Sequence, residues 1–412
     1  MKTPSILTDY KPFFTKQVFL EIIFSFLSYT HIIISSVSNY NNTSLLIKSF
    51  SSVLLIAYYL YLHKYNYKLK FDLSNTVHRR FFLILTLFLF IASISLFTDK
   101  LNMLGMQKFY LIVIQLIPFI IISRYALYTW TKKRTLAFIT VALAIGIFAS
   151  VFSLIISPFN PFIIYNFSFT RWSHVAFGRF IIIPIILSFF LMYSSVNKNR
   201  VLASIAIASL FTFTLISSGF RAGVIAVAFF LVSLLLSSTV KQKQNLFSLK
   251  NILLIILLIG LPLLIYSSQP VNFLNRLESI EQISKGENIK DGSLTTRINA
   301  YKIAWSKGWE RPTLGHGLGT FQFAGGDFTK AMKYPHNIFL EFFYEFGLIG
   351  VLFFIYFLSL TLRYLLRTNF WIISIYFTYF WFSLFSKDIT SNVLLFSAFA
   401  FIGYKNEIKK AA

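Results

Sequence analysis

The tract YPHNIFLEFFYEFGLIGVLFFIYFLSLTLR, residues 334–363, decides how this chain folds. From Phe339 to Leu362 it is almost wholly apolar, a length at which a helix crosses the ~30 Å hydrocarbon core of a bilayer. Arg363 closes it. Asn337 opens it, a residue whose side chain satisfies the first free N–H groups of a helix. The reading is a membrane helix that starts immediately behind Pro335 and His336. Two carboxylates, Glu341 and Glu345, stand within it.

The rest of the chain repeats the pattern. Of 412 residues, 56% are hydrophobic and 19% aromatic, and only 13% are charged. A soluble domain carries about 25% charged residues to cover its surface, so a soluble enzyme is excluded. About twelve apolar spans fall near 17–37, 44–62, 80–97, 108–129, 135–157, 176–195, 200–216, 220–238, 250–267, 339–362, 369–386 and 389–404. The expected fold class is all-α: a polytopic membrane protein with nine helices over 1–267, a polar loop over 268–338 and three helices over 339–412. No fixed-period repeat is present. The opening MKTPSILTDYKPFFTKQ lacks a cleavage-site pattern and reads as a retained tail rather than a signal peptide.

Net charge is +24. Nucleic acid is not the reason, because the cations sit in short tracts between spans, where they fix topology. With the N-terminus inside, the inner loops take Lys64, Lys68, Lys70, Arg79 and Arg80, then Arg124 and Lys132 to Arg134. Lys198, Arg200, Lys241, Lys243, Lys250, Arg363 and Arg367 follow, and Lys405, Lys409 and Lys410 close the tail. Lys100 and Lys108 are mild exceptions. The long loop 268–338 then falls outside, the periplasmic side of an inner membrane.

That topology makes the outward arginines informative: Arg171, Arg179, Arg221, Arg276, Arg297 and Arg311 run against the charge bias. Arg276 and Arg311 read equally well as solvated loop residues. Arg221 does not. It sits in the tight turn SSGFRAG, and a guanidinium held at the membrane boundary calls for an anionic partner.

Within the loop, SLTTRINAYKIAWSKGWERP reads as an amphipathic helix capped by Ser293 or Thr295. Arg297 and Tyr301 share one of its faces, and Trp305 and Trp309 suit a membrane interface. The following PTLGHGLGTFQFAGG, with Gly315, Gly317 and Gly319, is expected to be a flexible, turn-rich loop. It has no GK[ST] ending and lies opposite the ATP side, so it is not a nucleotide-binding loop.

His336 at a helix N-terminus, a neighbouring carboxylate and outward arginines suit one reaction class. Histidine works as a general base near neutral pH, and arginine forks bind phosphate oxygens. No outer Asp-x-Asp pair is available for a divalent metal, and the chain has no cysteine. The set fits displacement of a diphosphate-linked lipid from a sugar by an acceptor hydroxyl. His336 would take the hydroxyl proton, and Arg221 with Arg297 or Arg171 would stabilise the departing pyrophosphate.

Four pieces in order, SSGFRAG, TRINAYKIAW, RPTLGHGLGTF and PHNIFLEFFYEFGLIG, resemble the O-antigen ligase and polymerase superfamily over roughly a third of the chain. The opening KPFFTKQVFLEII is similar to the start of the enteric-type ligases. The resemblance implies an inner-membrane, GT-C-like enzyme of about twelve helices. It implies transfer of O-antigen from undecaprenyl diphosphate to a lipid A-core sugar, without ATP, metal or other cofactor. It implies catalytic roles for Arg221, Arg297, His336 and Glu341, and substrate contacts from Arg171, Asn337, Arg311 and His316. One departure is Phe220, where many members carry a small or polar residue; it bears on the shape of the turn, not on its charge. The same motifs suit a polymerase, whose acceptor is a second lipid-linked glycan. A transporter would need charges along a mid-membrane path, whereas the spans are clean apart from Glu21, Lys48 and Glu345.

Overall fold

The computed structural model describes residues 16–35, 42–66, 76–98, 101–128, 131–156, 174–195, 197–217, 220–236, 292–385 and 388–402, with 252 and 256. All regular structure among them is helical. The chain runs α1 (Lys16–Ser35), α2 (Asn42–Asn66), α3 (Thr76–Phe97), α4 (Met103–Leu111), a π-helical turn Ile112–Leu116, and α5 (Ile117–Tyr128). It continues through α6 (Lys132–Ile156), α7 (His174–Ser194), α8 (Lys198–Ser217) and α9 (Arg221–Leu236). Then come α10 (Gly292–Gly308), α11 (Gly326–Met332), α12 (Ile338–Leu365), α13 (Phe370–Ser383) and α14 (Val393–Ser397). Eight helical segments among the described residues are long and apolar enough to cross a membrane, and Ala222–Leu236 and Phe370–Ser383 are shorter apolar helices. The chain is an all-α, multi-pass membrane protein. Apart from residues 252 and 256, the expected span at 250–267 lies outside the described residues, as do the loop residues Arg171 and Arg276.

One expected span takes a different form. Over its described part, 389–402, the expected span 389–404 is not a continuous helix: a 3-10 turn Ile389–Ser391, α14 and a second 3-10 turn Ala398–Phe401 follow one another. The cause is local competition for backbone groups. Asp388 accepts the Ser391 N–H at 3.1 Å and starts the first turn, and Arg124 donates to the Ala400 and Ile402 carbonyls at 2.6 and 2.5 Å, fixing the end.

The helices form two compact units, residues 1–13 with 139–296 and residues 14–138 with 297–412. In the first, α7 packs along α8. Gly146 of α6 brings that helix close: a Cβ there would stand 2.9 Å from both Phe211 and Pro184. Small residues at such crossings let membrane helices approach.

The second unit is held by aromatic stacking and by paired charges. Phe88 stacks on Phe353 and Phe396, and Phe357 stacks on Phe399 at 4.2 Å between centroids. In a bilayer, where burial from water no longer drives helix association, such dispersion contacts carry the packing. Glu21, a carboxylate inside the first span, meets the Arg134 fork at 2.6 and 3.0 Å.

The decisive feature of this unit is a break in α12. Gly347 has φ 66° and ψ −161°, a conformation essentially closed to other residues. The break leaves carbonyls of the first half and N–H groups of the second without helical partners. The segment 312–317 takes them up. His316 and Gly317 donate to the Tyr344 and Glu345 carbonyls at 2.8 and 3.1 Å, and Leu348 and Ile349 donate to the Pro312 and Thr313 carbonyls at 2.7 and 3.4 Å. The glycine-rich segment is therefore a partly buried, bonded strut, not the flexible loop expected. Its glycines are needed for fit: a Cβ on Gly319 would stand 2.5 Å from the Gly105 N. Gly347→Ala is expected to destabilise the protein by about 2 kcal/mol or more, because its Cβ would run into Pro312 and Thr313. A thermal-unfolding midpoint equal to wild type in detergent would contradict this.

Candidate functional site

The second unit carries most of the predicted residues. Asn337 caps α12: its Oδ1 accepts from the Phe339 and Leu340 N–H groups at 3.0 and 3.2 Å. Its Nδ2 donates to the Leu384 carbonyl at 3.1 Å, tying the start of α12 to the end of α13. Both polar atoms of the side chain thus serve the helix start. His336, one residue earlier, is half-buried and has φ 58°. Left-handed backbone is uncommon in a residue other than glycine, and such outliers gather at functional sites, where surrounding structure holds them. The His336 ring lies 4.5 Å from that of Tyr334, at 52°.

Glu341 stands one turn into α12 and is 1% exposed. One of its oxygens accepts from Lys108 Nζ at 2.7 Å and the other from the Ile389 N–H at 3.1 Å. Glu345, a further turn on, accepts from the same Nζ at 2.5 Å. Beside Glu341, Asp388 accepts from Thr390 Oγ1 and the Ser391 N–H, and its carbonyl accepts from Asn392 Nδ2 at 2.7 Å. Lys108 and Asp388 were not foreseen as parts of this region. The only sequence signal for Lys108 was its place on the wrong side of the charge bias.

The helix α10 lies against α12. Ala300 and Ala304 pack with Phe321 and Tyr344, and Trp305 and Trp309 bracket Phe343 at 5.4 and 5.3 Å. Both indoles remain about half exposed, at 55% and 50%, which suits an interfacial position. The helix begins at Gly292, so Ser293 and Thr295 lie in its first turn instead of capping it. Arg297 is half-buried. Burial pushes the Tyr301 phenol up, and the Arg297 guanidinium on the same face pulls it back. His316 bonds the Lys307 carbonyl at 2.7 Å and stacks on Tyr344 at 4.7 Å, so it staples the end of α10 to α12. Arg311 is exposed. Lys307, hydrogen-bonded to Glu310 at 2.7 Å, holds that carboxyl below its usual range. No three His, Cys, Asp or Glu side chains gather as a metal site among the described residues.

Arg221 belongs to the first unit, where it is the first residue of α9. The preceding Phe220 is 4% exposed, and its carbonyl accepts from Gly223 and Val224 at 3.0 and 3.2 Å. Two glycines make room for the ring. A Cβ on Gly178 would fall within 2.6 Å of Phe220 Cγ, and one on Gly223 within 2.5 Å of Phe220 Cδ1. The bulky residue is thus absorbed without moving the turn off the helix start. Arg179, next to Gly178 in α7, is fully buried.

Residues 205–355 match a family model described as O-antigen ligase. Over that stretch, a little over a third of the chain, the sequence is similar to the O-antigen ligase family. The match takes in Arg221, Arg297, Arg311, His316, His336, Asn337 and Glu341, and with them the whole broken start of α12. Lys108 and Ile389, which bond Glu341 from outside, are not within the stretch matched to O-antigen ligases. No curated protein matches the chain.

Proposed function

We propose that this protein transfers an O-antigen glycan from undecaprenyl diphosphate to a sugar hydroxyl of lipid A-core, at the periplasmic face of an inner membrane. The observation that carries the reading is His336, held in left-handed backbone directly before the Asn337 cap. A helix N-terminus favours nearby anions, and a strained, half-buried histidine there is placed for proton transfer.

In this reading His336 takes the proton of the acceptor hydroxyl. The oxygen attacks the anomeric carbon, the bond from that carbon to the diphosphate oxygen breaks, and the lipid diphosphate leaves with the electron pair. One in-line displacement inverts the anomeric centre. Arg221, with Arg297 or Arg171, takes up the charge developing on the diphosphate, and no ATP or metal is required. Arg311 contacts the glycan chain from the exposed end of the α10 region. Glu341, Asn337 and His316 are given supporting roles, since their polar atoms are already engaged in holding α12 and α10.

The test is transfer by purified protein from undecaprenyl-diphosphate-linked glycan to two acceptors, lipid A-core and a second lipid-linked glycan. Product on lipid A-core supports the ligase reading. Elongated lipid-linked glycan with no capped lipid A-core would make the protein a polymerase, and no product with either would reject both.

A further inference from the structure

The break at Gly347 turns the start of α12, Ile338 to Phe346, into a short helix of its own, with His336 and Asn337 at its head. Its tail is bonded to the glycine strut and to Ser95 of α3, whose Oγ donates to the Glu345 carbonyl at 2.8 Å. Its middle carries two carboxylates that share one cation. Lys108 of α4 reaches both Glu341 and Glu345, at 2.7 and 2.5 Å, with all three side chains at most 1% exposed.

Two carboxylates four residues apart lie on one face of a helix. A single buried ammonium bonded to both therefore fixes how far that helix is rotated about its axis. The cap and the strut hold its two ends, and this pair of bonds holds the face between them. Lys108 itself is placed by the geometry of its own helix, which passes into the π-helical turn Ile112–Leu116 immediately afterwards. Such turns inside α-helices are often found at functional sites.

We propose that Lys108 is a positioning residue: through Glu341 and Glu345 it sets the rotation of the short helix and so the direction in which His336 points. The consequence for transfer rests on the reading of His336 as base; the placement does not.

The chain has no cysteine, so a single introduced thiol reports on one position. In detergent, the rate of maleimide labelling would be measured for His336→Cys and for a control, Lys330→Cys, on the exposed face of α11. Each is combined with Lys108→Met and with Lys108→Arg. Lys108→Met is expected to change labelling at 336 by about threefold or more and leave 330 unchanged, with Lys108→Arg, which keeps a cation on both carboxylates, nearer the parent than Lys108→Met. In the otherwise native protein, Lys108→Met should lower kcat by about 10²-fold, the scale of a 1 Å misplacement, with the donor KM within about twofold. No change at 336, or an equal change at both positions, overturns the proposal. Altered labelling at 336 with wild-type kcat upholds the placement and rejects His336 as base. Should Lys108→Met fail to insert, Glu345→Gln, which leaves Lys108 one carboxylate, is expected to give the same pattern at smaller size, and unchanged labelling at 336 in that variant also overturns the proposal.

Discussion

His336→Ala should lower glycan transfer by about 10²–10⁴-fold, the contribution of a well-placed general base. The protein should still insert, because the helix start is held by atoms other than the imidazole. Asn337 supplies the cap, Leu384 anchors it, and Lys108 grips the next two turns. Histidine already bears most of the left-handed backbone cost, about 1–2 kcal/mol for any residue with a Cβ, and is only somewhat better tolerated there than alanine, so a small fall in thermal stability is expected alongside the loss of rate. The measurement is kcat with purified protein and both substrates saturating. Wild-type kcat in a folded His336→Ala protein would remove His336 from the chemistry. His336→Asn separates the two effects, since asparagine tolerates this backbone but cannot act as base. It should recover the stability and leave the rate low.

Arg221→Ala is expected to cost about 10²–10³-fold in kcat, the usual effect of removing one donor to a developing anion. Arg221→Lys is the sharper experiment. It keeps the charge at the head of α9 but loses the planar fork that matches phosphate oxygens. If Arg221 grips the diphosphate with two parallel hydrogen bonds, the lysine protein stays well below wild type, with kcat restored by no more than about tenfold over alanine. Full activity in Arg221→Lys would show that a point charge suffices. The start of α9 should tolerate either change, because Phe220 packs closely against Gly178 and Gly223.

The elements most readable from the amino-acid sequence were those governed by local rules. Apolar runs placed α1 to α8 to within a few residues, since span length and backbone satisfaction in lipid leave little choice. Asn337 announced the start of α12 by its type and position, and it caps that helix as expected. The shared face of Arg297 and Tyr301 and the exposed pair Trp305 and Trp309 follow from helical spacing.

What escaped detection depends on partners far along the chain. Gly347 sits in FGLIG, inside an apolar run that a helix could have crossed unbroken. The break is stabilised by N–H and carbonyl groups of residues 312–317, some thirty positions upstream. The same bonds turned a glycine-rich segment, expected to move, into a strut. Lys108 could be seen only as an exception to the charge bias, because its two carboxylates lie more than two hundred residues away. Asp388 was visible only as a short turn. Its role depends on Ser391 and Asn392 folding back onto it.

The break at Gly347 has a mechanical consequence. Unbroken, the 28 residues of α12 would make a rod of about 42 Å at 1.5 Å per residue, well over the ~30 Å hydrocarbon thickness. A rod longer than its bilayer tilts, and the tilt follows membrane thickness and lipid composition. Residues 348–365 alone come to about 27 Å, close to a match. With so little mismatch the long half has little cause to tilt, and the segment 312–317, bonded to both sides of the break, holds the start of α12 in place. If His336 is the base, transfer rates should therefore depend only weakly on the acyl-chain length of the host bilayer.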